Sequence, residues 1–306
     1  MTSGVIPLPS ALGRRVDDFA RTLMRQPPGY HVDFLRPAGE PALLPPASLS
    51  WRIFKNPVTV FIGGVAAVLL ELAEPRVRDA VWQHSGFRTD ALSRLRRTGA
   101  AAMVTVYGPR SQAEAMIAGV VRMHGRIHGR TSEGEAYDAN DPELLDWVQA
   151  TAGFGFMQAY HCFARPLRAE ERDTSLAECR PIALLYGAAG APGSQADLYT
   201  LFEARRHRLA ASPIVLEFLD IMAKVPALPA SVRSLQLPLL KAAIDILPLW
   251  VRERLGLGDR WNLRPQARAV VASMAGICER IVLPSSPAVQ SCRRLGLADD
   301  FLYRRH

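Results

Sequence analysis

The chain has only three lysines, Lys55, Lys224 and Lys241, so its formal charge of +8 rests on arginine. Those arginines are interspersed with acids and form no massed basic block, which argues against a nucleic-acid surface. The four cysteines, Cys162, Cys179, Cys278 and Cys292, include no C-x-x-C pair. A c-type haem attachment sequence is therefore absent, and reduced thiols in a cytosolic compartment are expected. The most apolar run, Val58 to Leu70, is broken by Gly63-Gly64 and falls short of the ~20 residues that cross a bilayer. Met1 to Arg15 has no charged n-region leading into an apolar core, so no secretory leader is predicted. Gly187-x-x-Gly190-x-x-Gly193 lacks the spacing of a dinucleotide fingerprint, and no G-x-S-x-G nucleophile elbow occurs. There is no fixed-period repeat and no low-complexity tract.

What is present is enough apolar material for a sizeable core: 306 residues, 49% hydrophobic. From Ser50 onward apolar residues recur at three- and four-residue spacing, predicting helices over Val58–Leu72, Glu74–Trp82, Asp90–Val106, Gln112–His128 and Pro142–Phe163. Asp90 and Asp141 are positioned as N-caps, the latter followed by Pro142 at N1. Further helices are expected from Ser212-Pro213 to Met222, from Ser231 to Leu247 and from Arg264-Pro265 to Leu283, and no strand-like alternation competes with them. The expected fold class is all-α: a single mainly helical domain over residues 50–306, preceded by a Pro-rich arm or lid over residues 1–49. The apolar segment Leu235–Trp250 reads as core, with a pocket mouth or a membrane-touching face as its functional alternative.

Chemistry concentrates between Arg94 and His128. Arg94, Arg97 and Thr98 cluster over one helical turn, and His124 and His128 are expected one turn apart on the apolar side of the next helix. A buried histidine is ordinarily a hydrogen-bonded core residue. The neighbouring Gly99-Ala100-Ala101-Ala102 surface, however, lets a flat group approach the backbone, and Gly153 and Gly155 offer a second such surface. Basic groups and an imidazole inside an apolar bundle point to a bound anionic cofactor.

Several motifs together carry a resemblance: Ser50-Trp51-Arg52-Ile53-Phe54, Asn56-Pro57, Gly63-Gly64, Glu74-Pro75-Arg76, His84-Ser85-x-Phe87, Arg94-x-x-Arg97-Thr98, His124-x-x-Ile127-x-Gly129, Tyr137, and Asp141-Pro142-x-Leu144-x-x-Trp147-Val148. The chain resembles the MpaB-type oxygenase family, which includes the catalytic domain of latex-clearing protein, most closely over residues 50–165. The resemblance implies an all-helical b-type haem protein that uses dioxygen to cleave carbon–carbon double bonds in isoprenoid chains. It implies that His124 is the axial ligand of the iron, with His128 the nearby alternative. Arg94 and Thr98 match the family's Arg-x-x-Lys-Thr, whereas Arg97 stands where a lysine is found. A guanidinium has no lone pair to give a metal, so Arg97 is expected to polarise oxygen or to pair with a haem propionate. Glu74 is the expected distal carboxylate base, with an ordinary helix-end charge as its alternative.

Three functions are consistent with these residues. The leading one is a haem b-dependent oxygenase or peroxidase-like oxidoreductase with dioxygen as co-substrate and an apolar, isoprenoid-like small molecule as substrate. The second is a non-haem metal oxidoreductase using His124, His128 and a carboxylate. The third is a haem or lipid carrier without turnover. A cytoplasmic location is expected, with peripheral membrane contact as an open alternative.

Overall fold

The computed structural model describes residues 5–7, 17 and 32–304. Thirteen α-helices and one two-stranded sheet are found among them, so the fold is all-α. Helix α1 covers Leu49–Phe54, α2 Pro57–Ala73, α3 Pro75–His84, α4 Ala91–Tyr107 and α5 Arg110–His124. A hairpin of β1 (His128–Arg130) and β2 (Ala136–Asp138) comes next. Then follow α6 (Pro142–Phe163), α7 (Ala169–Leu185), α8 (Gln195–Arg205), α9 (Pro213–Lys224), α10 (Gln236–Asp245), α11 (Leu249–Arg254), α12 (Pro265–Cys278) and α13 (Pro287–Arg294).

Local chemistry sets the boundaries. Asn56 caps α2 by accepting from Val58 N and Thr59 N, and Pro57 occupies N1. Glu74 ends α2 and caps α3, with Pro75 at N1, so the two helices meet at a bend of 109°. Asp90 and Asp141 cap α4 and α6 as expected. Among the described residues no single helix is long and apolar enough to cross a membrane. Helix α2 is instead the centre of the core, packed along α6 and covered by α10. Ile62, Leu69, Leu70, Trp147, Tyr160 and Leu240 lie at or near zero exposure there, each burial contributing about 1.5–3 kcal/mol. Trp147 Nε1 donates to Leu70 O, which satisfies the indole inside that core.

The segment 32–48 lies against a second cluster, burying Phe34, Ala42 and Leu44 beside Trp51 and Tyr107. Arg294 of α13 locks it in place by donating to Phe34 O, Glu40 O and Tyr107 O. Residues 1–4, 8–16 and 18–31 of the expected arm lie outside the described residues.

The helix expected over Gln112–His128 ends at His124, and a hairpin follows it. Gly125 and the turn through Ile127, whose N–H donates to His124 O, redirect the chain. Each strand is only three residues long, too short to show alternation. Helices α7 and α8 lie where no helix is expected, because their buried apolar residues are sparse: Leu176, Ile182 and Ala183 in α7, Leu198 and Phe202 in α8. Most of Leu235–Trp250 is core, with Leu237 and Leu249 exposed.

Candidate functional site

Helix α2 carries one charged residue between Pro57 and Ala73, Glu71, in its last turn. Val60, Gly64, Val68 and Glu71, spaced by four, four and three residues, form a partly accessible stripe down one side of an otherwise buried helix. Helix α4 packs on α1, α5 and α13 and not along α2. It nevertheless brings Arg94 into electrostatic contact with both Glu71 and His124, the last residue of α5.

Each member of this trio is perturbed by desolvation. Desolvation pushes the Glu71 carboxyl up to about 7, with the Arg94 charge opposing the rise. Burial also lowers the Arg94 pKa, with Glu71 opposing and Arg97 reinforcing the shift, although a guanidinium remains protonated. The His124 pKa is lowered by desolvation and then by Arg94, so its imidazole is neutral at pH 7. Glu71 is desolvated at its carboxyl while part of the residue stays accessible. No direct ion pair closes between Glu71 and Arg94. The Arg94 guanidinium instead donates to Thr98 Oγ1 at 2.8 Å, while Thr98 Oγ1 donates to Arg94 O at 3.0 Å. Thr98 thus holds Arg94 in one orientation.

The His124 Nδ1 atom is buried and has no hydrogen-bond partner. A neutral imidazole with an unused ring nitrogen keeps a lone pair or an N–H free for a further partner. No group of three or more His, Cys, Asp and Glu side chains gathers to hold a metal ion among the described residues. The single buried imidazole donor is of the kind that haem, which brings four nitrogens of its own, asks of a protein. A Cβ added at Gly99, on the exposed side of α4, would meet nothing within 4 Å, so the small-residue surface expected there faces solvent.

The structure separates residues that the sequence placed together. His128 is not on α5; it opens β1, exposed and paired across the sheet with Asp138, so the two histidines share no helix face. Arg97 and Thr98 lie on the exposed side of α4, and Arg97 forms no ion pair among the described residues. Glu74 is fully buried but committed elsewhere: Arg76 Nε lies 3.0 Å from Oε1 and Arg208 Nε 3.4 Å from Oε2. Glu71, one turn earlier, is the carboxylate that faces Arg94. Its signal in the sequence is that it is the lone charge within an apolar helix. Gly155 meets Gly63 and Gly153 lies against Leu176, so Gly153 and Gly155 both serve close helix packing. His161 Nδ1 accepts from Leu167 N and is structural.

The model of the family described as ER-bound oxygenase mpaB/B′/rubber oxygenase, catalytic domain, matches residues 51–279. No curated protein and no solved structure matches the chain.

Proposed function

The chain belongs to the mpaB/rubber oxygenase catalytic-domain family, and from that premise we propose that it is a haem b-dependent oxygenase acting on an apolar, isoprenoid-like substrate. The observation that carries the haem assignment is the neutral His124 imidazole with its buried, unpartnered Nδ1 beside Arg94. His124 would hold the iron, and the haem when bound would supply the activation of dioxygen.

The remaining chemistry belongs to the chain's own side chains. Arg94, oriented by Thr98, presents a fixed, partly desolvated cation, where it stabilises a carboxylate or a developing negative charge more strongly than in water. Glu71 takes the role expected of Glu74. With a pKa of about 7 it both accepts and returns a proton at neutral pH, as a base removing an allylic proton must. The accessible stripe of Val60, Gly64 and Val68 leading to Glu71 offers apolar contact to a hydrocarbon chain. Arg97, at the exposed rim, suits a haem propionate. Action in the cytosol, against a membrane surface that holds the apolar substrate, belongs to the same proposal.

Dioxygen uptake by the haem-loaded protein supplied with a polyprenoid tests this reading. Uptake with double-bond cleavage is expected for wild type and His128→Ala and is expected to be lost in His124→Ala. Uptake that survives in His124→Ala would remove it as the ligand.

A further inference from the structure

The hairpin that follows α5 leaves from, and returns to, the turn that carries His124. Ile127 N–H donates to His124 O at 2.8 Å, Ala139 N–H to Ile127 O at 2.9 Å, and Asn140 Nδ2 to Val121 O at 3.3 Å. Movement of the hairpin therefore moves the end of α5. Across the sheet Gly129 is the partner of Tyr137, and a Cβ on Gly129 would stand 2.6 Å from the Tyr137 hydroxyl and 2.8 Å from its Cζ. Only glycine lets the Tyr137 ring lie over β1. The ring is almost fully buried. Its hydroxyl donates to Gln83 Oε1 at 2.8 Å and lies 3.0 Å from His84 Nε2, which supplies the second proton when Nε2 is protonated. Both partners sit in the last turn of α3, and α3 starts at the bend that ends α2, three residues beyond Glu71.

We propose that Tyr137, admitted by Gly129 and held by Gln83 and His84, is the positioning residue that fixes the His124 imidazole relative to Glu71 and Arg94. The proposal rests on the reading of His124 as axial ligand, and it assigns one role to motif residues that take no part in the chemistry. A second tether, Ser132 N–H donating to Asp79 Oδ2 at 2.7 Å, keeps the hairpin folded on α3 when the first is cut. Removing the Tyr137 hydroxyl should therefore loosen the hairpin without unfolding the chain.

The test is Tyr137→Phe in the full-length protein, which adds no atom, with Gly129→Ala as the companion variant that forces the ring aside. In the haem-free protein, amide hydrogen exchange over residues 121–128 should quicken about tenfold, the loss of one to two net hydrogen bonds, while exchange across α2 and α6 stays unchanged. In the haem-loaded protein, haem should pass to an excess of a haem-scavenging protein about tenfold faster, and the axial-ligand signals in the electron paramagnetic resonance spectrum should broaden. Unchanged exchange over residues 121–128, or acceleration spread evenly over the whole chain, overturns the positioning role. Failure of the wild type to bind haem would count against the oxygenase reading, and the haem-free exchange would still decide the role of Tyr137.

Discussion

Gly155 of α6 and Gly63 of α2 meet backbone to backbone: a Cβ on Gly155 would fall on the Gly63 carbonyl oxygen, and one on Gly63 would lie 2.7 Å from Phe156 Cα. Two helices of the core cross there with their backbones in direct contact, the Phe156 ring lying beside the crossing. Because the opposing atoms are backbone, neither residue has room to yield. Gly155→Ala and Gly63→Ala should each destabilise the protein by about 1–3 kcal/mol or more through overpacking, despite alanine's better helix propensity. Denaturant unfolding checks this. A stabilised variant would mean that the crossing is looser than the contact implies.

The pH dependence of stability should carry the signature of Glu71. Its carboxyl titrates at about 7 in the folded protein against an ordinary 4.5. The folded chain thus binds this proton more tightly than the unfolded chain. The linked stability is complete below pH 4.5 and is lost as the pH rises through 7. Glu71→Gln should remove that dependence and make the haem-free protein more stable at pH 8 by about 1–3 kcal/mol. Urea titrations of both proteins at pH 5 and pH 8 measure it. A variant no more stable than wild type at pH 8 would show that Glu71 is not held in a desolvating recess.

The two neighbouring glutamates should separate cleanly. Glu74→Gln breaks a buried ion pair with Arg76 and a second, partly exposed one with Arg208. It should lower stability by about 3 kcal/mol while leaving the turnover of the folded protein near that of wild type. Glu71→Gln should do the reverse, keeping the fold and losing turnover. Loss of turnover in folded Glu74→Gln, with retention in Glu71→Gln, would return the base role to Glu74.

How far the sequence told this in advance depends on the residue. Helix α2 was legible because apolar residues recur at three- and four-residue spacing from Val58 to Leu72 and carry the pattern across Gly63-Gly64. The Arg94–Thr98 pair was legible because four-residue spacing on a helix dictates it. The position of His128 was not, since a helix continued past Gly125 and a hairpin begun at His128 share the same short apolar spacing. Only tertiary contacts of the hairpin with α3, through Tyr137 and Asp79, select the second. Glu71 and Glu74 differ by a single turn, and the 109° bend between α2 and α3 decides which of them faces Arg94.

The two arginines should also part. Arg94→Ala removes the charge that holds the Glu71 carboxyl down, so the Glu71 pKa should rise further and turnover at pH 7 should fall by about 10²-fold. Arg97→Ala changes an exposed side chain without an ion pair among the described residues. It should leave folding and most turnover intact. Steady-state rates across pH 6–9 for both variants give the comparison, and a larger loss in Arg97→Ala would contradict the placement of Arg94 as the inward cation.

The central claim, that His124 holds a b-type haem beside Arg94 and Glu71, is tested most directly by the absorption spectrum of the full chain purified with haem supplied during expression, taken before and after acid–organic extraction. An intense Soret band is expected in the wild type, removed entirely by extraction and nearly absent in His124→Ala. A colourless wild-type protein, colour that stays with the polypeptide, or a His124→Ala spectrum equal to that of the wild type would contradict it.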